Sequence, residues 1–109
     1  MKIKVLATAV ALLLAAPLPA HALLIFVTNE KDNTVTVLDE SLKVVKTIET
    51  GLRPRGIRIT PDFKEVLVCI GDDNRLDVIN TETLEISRTL NSGPDPELPI
   101  LHTSGNPLY

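Results

Sequence analysis

The sequence repeats itself with a period of about 42 residues, and this period restricts the fold more than any other feature. FVTNEKDNTVTVLDESLKVVKTIETGLRPRG (Phe26 to Gly56) lies over VCIGDDNRLDVINTETLEISRTLNSGPDPEL (Val68 to Leu98). A shift of 42 sets Phe26 and Val27 on Val68 and Cys69, Lys46-Thr47-Ile48 on Arg88-Thr89-Leu90, Gly51 on Gly93 and Pro54 on Pro96. Between these anchors Asp32-Asn33 meets Asp73-Asn74 at a shift of 41, so one deletion and one insertion cancel. A period of this size means one supersecondary unit stacked on copies of itself, either a helical array or the blades of a ring.

The local pattern decides for strands. Short runs rich in Val, Ile and Thr alternate with Asn, Asp, Gly and Pro clusters, and no stretch of ten residues keeps a helical period. The pattern predicts strands at 24–29, 34–39, 43–49, 56–60, 65–70, 75–80, 84–90 and 97–102, with KDN, DES, GDDN and TET as hairpin turns. Four antiparallel strands per 42 residues make one blade of a β-propeller. The expected class is therefore all-β. Cys69, inside the apolar run VLVCI, reads as a small buried hydrophobe, and a single cysteine excludes an intrachain disulfide framework.

Much of the chain's 44% hydrophobic content is concentrated before the repeats begin. MKIKVLATAVALLLAAPLPAHA has basic Lys2 and Lys4, an apolar run from Val5 to Ala16 and a small-x-small end at Ala20-His21-Ala22. That layout predicts a secretory signal over 1–22, cleaved after Ala22. Its apolar run of 12 residues falls short of a bilayer span of roughly 20, so no membrane span is expected after cleavage. The expected compartment is the periplasm or the exterior. Removal of two lysines leaves 9 basic and 14 acidic residues, a balance that disfavours nucleic acid as a partner.

The segments FVTNEKDNTVTVLD (Phe26 to Asp39), KVVKTIETGLRPRGI (Lys43 to Ile57) and TPDFKEVLV (Thr60 to Val68) resemble the YVTN-type repeat family of seven-bladed propellers. The loop SGPDPEL (Ser92 to Leu98) is similar to that of the exported members associated with pyrroloquinoline quinone-dependent alcohol catabolism. Phe26 stands where the family has Tyr, Phe63 where it has a turn Gly, and Pro99 where it has an apolar strand residue. The resemblance implies a seven-bladed ring, of which this chain would supply about two blades: strands B to D of the first at 23–50, the second at 51–92 and the start of a third at 93–109. On that register the chain is expected to be the opening portion of a larger ring.

With strands lettered A to D outward, the B–C and D–A loops of a blade open on one face. Glu30, Asp32 and Asn33 fall in the first B–C loop, and Asp72, Asp73 and Asn74 in the second. Arg53 and Arg55 occupy one D–A loop, and Asp95 and Glu97 the same place one repeat on, so RPRG becomes DPEL. Such a mouth suits a small polar ligand, a periplasmic protein partner or an oxygen-coordinated cation such as calcium. Two plainer readings compete: Asx residues in hairpins hydrogen-bond their own backbone, and Arg55 with Glu97 would form an exposed interblade ion pair of little energetic weight.

Catalysis finds little support. His102 has no carboxylate or nucleophile placed beside it by a motif, and Ser41, Ser87, Ser92 and Ser104 lie outside any G-x-S-x-G context. No phosphate-binding glycine loop is present, and the absence of Trp argues against a quinoprotein dehydrogenase, whose blades are Trp-rich. The expected function is a non-enzymatic periplasmic binding or accessory propeller. The alternatives are a lactonase-like hydrolase using a divalent cation, and a cell-surface interaction scaffold.

Overall fold

The computed structural model describes residues 23–102 and 107–108. The signal segment at 1–22 lies outside the described residues. Among the described residues nine strands form three antiparallel sheets in chain order: β1 (Leu24–Asn29), β2 (Thr34–Asp39) and β3 (Val44–Glu49); β4 (Pro54–Ile59), β5 (Glu65–Ile70), β6 (Arg75–Asn80) and β7 (Glu85–Asn91); β8 (Ile100–Leu101) and β9 (Pro107–Leu108). The first two sheets are up-and-down meanders, with consecutive strands side by side and short connections between them. The chain is all-β, and its four-stranded antiparallel sheet is a propeller blade.

Two apolar layers join the sheets. Val35, Val37 and Ile48 of the first sheet meet Val66, Val68, Ile70 and Ile79 of the second, with Phe26, Ile57, Leu84 and Ile86 around them. On the other side of the second sheet, Leu67, Cys69 and Leu76 pack with Leu90 and Leu101. The four-stranded sheet is therefore covered on both faces, which is why β5 reads as the unbroken apolar run VLVCI instead of an alternation.

The register corrects the repeat alignment. The turn pairs Asn29↔Thr34 and Ile70↔Arg75 are equivalent, so β1 lies on β5 at a shift of 41, not 42. Phe26 then matches Leu67, and Val27 matches Val68. One residue of slip exchanges the two faces of a strand, and the packing agrees with 41: Phe26 and Leu67 both face the following sheet. The compensating residue enters at the second hairpin, where Asp39 to Leu42 becomes Asn80 to Leu84. Leu42 and Leu84, both left-handed with φ 64 and 56, restore the shift of 42.

Beyond one-residue shifts at β3 and β7, three further features differ from expectation. β4 begins at Pro54, two residues early, with a bulge between Pro54 and Ile57; proline is compatible with this edge position. GDD forms a single 3-10 turn at Gly71–Asp73, closed by left-handed Asn74. The strand expected at 97–102 shrinks to Ile100–Leu101, directly after Pro99, which has no N–H to give a ladder.

Phe63 adopts φ 59 in the turn between β4 and β5, and its side chain is 69% exposed. A left-handed L-residue costs roughly 1–2 kcal/mol, partly offset in a glycine replacement by the extra freedom of the unfolded chain. Phe63→Gly should stabilise the protein by about 0.5–1 kcal/mol, read as a higher urea midpoint.

Candidate functional site

The loops at one end of the sheets are built around two equivalent asparagines. Asn33 and Asn74 close the β1–β2 and β5–β6 hairpins in left-handed conformation (φ 58 and 53), which Asn tolerates. Each backbone carbonyl accepts the N–H of the residue leaving an outer strand: Thr50 on Asn33 at 3.0 Å, Ser92 on Asn74 at 3.1 Å. Each side-chain carbonyl accepts an N–H three residues further on: Arg53 on Asn33 at 2.8 Å, Asp95 on Asn74 at 3.0 Å. Arg53 and Asp95 are themselves left-handed (φ 67 and 49). A fixed asparagine latch thus presents a residue of opposite charge in successive repeats.

Their side chains meet. The Arg53 guanidinium contacts the Asp95 carboxylate through Nη2, and its Nε lies 3.0 Å from Asp72 Oδ1. That Nε is closed off from water and ion-paired, but not aligned to donate a hydrogen bond. Arg55 Nη1 reaches Asp95 at 3.1 Å and Glu97 at 3.2 Å. The interblade pair Arg55–Glu97 is present, within a larger cluster. Asp95 is 55% exposed and Glu97 69%, so salt screens these pairs and they add little stability.

Asp73 and Asn74 stand apart from that ion cluster, since both bind backbone. Asp73 Oδ2 accepts the Leu52 N–H at 2.8 Å. The loop carrying Arg53 is further tied down by Gly71 N–H to Arg53 O at 2.9 Å and Asp72 N–H to Leu52 O at 3.2 Å. Gly71 allows this approach, because a Cβ there would lie 2.9 Å from the Arg53 guanidinium. The seven candidates therefore divide into a charged group (Arg53, Arg55, Asp72, Asp95, Glu97) and two backbone ties (Asp73, Asn74). His102 is exposed and directly follows β8.

Asp77 was not among the candidates, yet it is wholly buried within β6. Its Oδ1 accepts from Arg75 Nε at 2.8 Å and its Oδ2 from the Gly51 N–H at 3.1 Å. This carboxylate anchors the start of the Arg53 loop, and the ion pair holds the Arg75 guanidinium above its ordinary value. Cys69 is buried, and desolvation pushes its thiol up to about 11, which removes it as a nucleophile. Thiol reagents should label Cys69 only after unfolding; labelling of the native protein at the rate of a free thiol would contradict this burial.

Among the described residues no three His, Cys, Asp or Glu side chains are placed to hold a metal ion. No helix among them is long and apolar enough to cross a membrane. Two surface grooves are lined by other residues: one by Lys46, Ile48 and Leu84 to Ile86, the other by Leu24, Phe26, Ile57 and Val66.

The fold and its loop-borne rim define a β-propeller protein. Its solved relatives by shape include Kuenenia stuttgartiensis hydrazine synthase (TM-score 0.71, 20% identity), over 75% of this chain and 24% of that one. A functionally unknown protein from Desulfotomaculum acetoxidans is similar over 82% of this chain and 34% of that chain (TM-score 0.65, 20% identity). Dihydro-heme d1 dehydrogenase NirN in complex with DHE is similar over 75% and 18% (TM-score 0.67, 18% identity). The chain thus spans 34% or less of the length of each of these chains. At such identities the likeness concerns the fold alone. No family model and no curated protein sequence matches the chain.

Proposed function

We propose that this chain contributes blades to an exported YVTN-type propeller, a seven-bladed ring by that resemblance, whose loop rim binds a partner or polar ligand without catalysing a reaction. The role we assign is accessory to quinone-dependent alcohol catabolism in the periplasm. One observation carries the binding reading: the Asn33 and Asn74 latches hold Arg53 and Asp95 at equivalent rim positions with opposite charges. Turn formation needs neither charge, so the difference is available for recognition. A lactonase would need acidic and amide groups converging on a cation, whereas Asp72, Asp95 and Glu97 face guanidiniums and the Asn33 and Asn74 amides hold backbone.

The complete protein, given calcium and a sugar lactone, should open no ring; metal-dependent opening would establish the hydrolase instead. Deleting the gene should slow growth on alcohols oxidised through the quinone. Restoration by the native chain but not by Arg53→Ala/Arg55→Ala is the expected result. Unchanged growth sinks the accessory role.

A further inference from the structure

Arg53 and Arg55 are set close together over one glycine. A Cβ at Gly71 would lie 2.9 Å from the Arg53 guanidinium and 3.0 Å from Arg55 Cδ. The Arg53 main chain is held at both its groups, the N–H by the Asn33 side chain and the carbonyl by the Gly71 N–H. Two like charges at such quarters need an anion between them. A single oxygen fills that place: Asp95 Oδ1 meets Arg53 Nη2 and, at 3.1 Å, Arg55 Nη1. Glu97, two residues on, reaches the same Arg55 Nη1 at 3.2 Å.

Neither carboxylate is needed to hold its own loop. The Asp95 N–H is fixed by the Asn74 side chain at 3.0 Å, and the Glu97 carbonyl by the Gly56 N–H at 2.9 Å. Both head groups are more than half exposed, so they can swing out while the main chain stays. The arginines also keep a donor in reserve. Arg53 Nε is closed off from water and, although 3.0 Å from Asp72, is aligned with no acceptor. The cradle is built into the backbone, and its occupant is not.

We propose that Arg53 and Arg55 form a carboxylate-binding site whose ligand is an acidic segment of a protein partner, and that Asp95 and Glu97 occupy this site in the free chain. The ligand's chemistry follows from the occupant. Asp95-Pro96-Glu97 carries carboxylates two residues apart, and the planar fork of a guanidinium matches a carboxylate. Resting as it does on the binding role proposed for the rim, the site adds the ligand's class to that role. The free chain is self-closed, because the apparent affinity of a site falls by the fraction of time it stands open. A partner must offer both carboxylates together, since the tethered pair outcompetes a single free acid by its effective concentration.

Asp95→Asn with Glu97→Gln empties the site at little cost in shape, because asparagine tolerates the left-handed backbone at 95 (φ 49). The probe is a fluorescent peptide of the chain's own residues 92–98, Ser-Gly-Pro-Asp-Pro-Glu-Leu. Measured by anisotropy at low salt, the full chain with both substitutions should bind it roughly tenfold tighter than the native chain. Adding Arg53→Ala/Arg55→Ala should abolish that binding, whereas adding Arg88→Ala, which removes a cation paired with Glu65, should not change it. Glutarate should bind far more weakly than the peptide. Equal affinity of native and double-variant chains overturns the closure, as does no binding by either. Binding that survives loss of both arginines overturns the site, and glutarate binding as tightly as the peptide overturns the acidic segment. Should the double variant lose its β spectrum, Asp95→Asn alone is compared with the native chain in the same way. Peptide binding as expected with unchanged growth on alcohols would strike the accessory role and leave the site standing.

Discussion

Replacing Gly56 with valine will loosen the junction between the second and third sheets. Gly56 donates its N–H to the Glu97 carbonyl at 2.9 Å, so the Asp95 to Leu98 loop crosses β4 at backbone contact. A Cβ at 56 would strike that carbonyl oxygen and lie 2.8 Å from Leu98 Cα. The obstacle is main chain, which cannot step aside as a side-chain tip can. Overpacking of this kind costs roughly 1–3 kcal/mol. The loss should appear as faster hydrogen exchange at Gly56 and quicker proteolysis within 93–102, before the melting of β5 and β6. A valine variant that exchanges and cuts like the native protein would show the contact is not tight.

Ile79→Ala should be the more damaging change to global stability. Ile79 is fully buried between the first two sheets, and truncating such a side chain costs roughly 2–5 kcal/mol, depending on how far the cavity collapses. Leu38 is the control, since it holds the equivalent place on β2 and is only half-buried. Leu38→Ala should cost less than half as much. Urea unfolding of both variants measures the difference, and equal losses would mean the two faces are equally covered.

The strands were legible because each has a period and a turn signal of its own. Thr34–Asp39, Glu65–Ile70 and Arg75–Asn80 fall at the expected residues. The face of β1 was not, because Phe26-Val27 and Val68-Cys69 are all apolar and either register looks equally good. Only the hairpin pairs settle it. Asp77 escaped for a related reason. In RLDVIN an acid between apolar residues reads as the solvent side of a half-buried strand. The clue lay next door, in VLVCI: a sheet covered on both faces has no solvent side, so an acid in its next strand must be buried with a partner. Arg75 and the Gly51 N–H are those partners. The charge exchange from Arg53 to Asp95 was readable as a pattern. That these two side chains also touch each other was not, because contact depends on how adjacent loops lean together.

The asparagine latch separates two jobs that a loop residue usually performs at once. Asn33 and Asn74 hold the main chain at 53 and 95 by side-chain carbonyls, so the shape of the rim does not depend on what stands there. Arginine and aspartate occupy the same bent backbone. A mutation at such a position rewrites the chemistry of the rim while leaving the scaffold as it was. Variation can then explore binding one blade at a time, with folding insulated from the search.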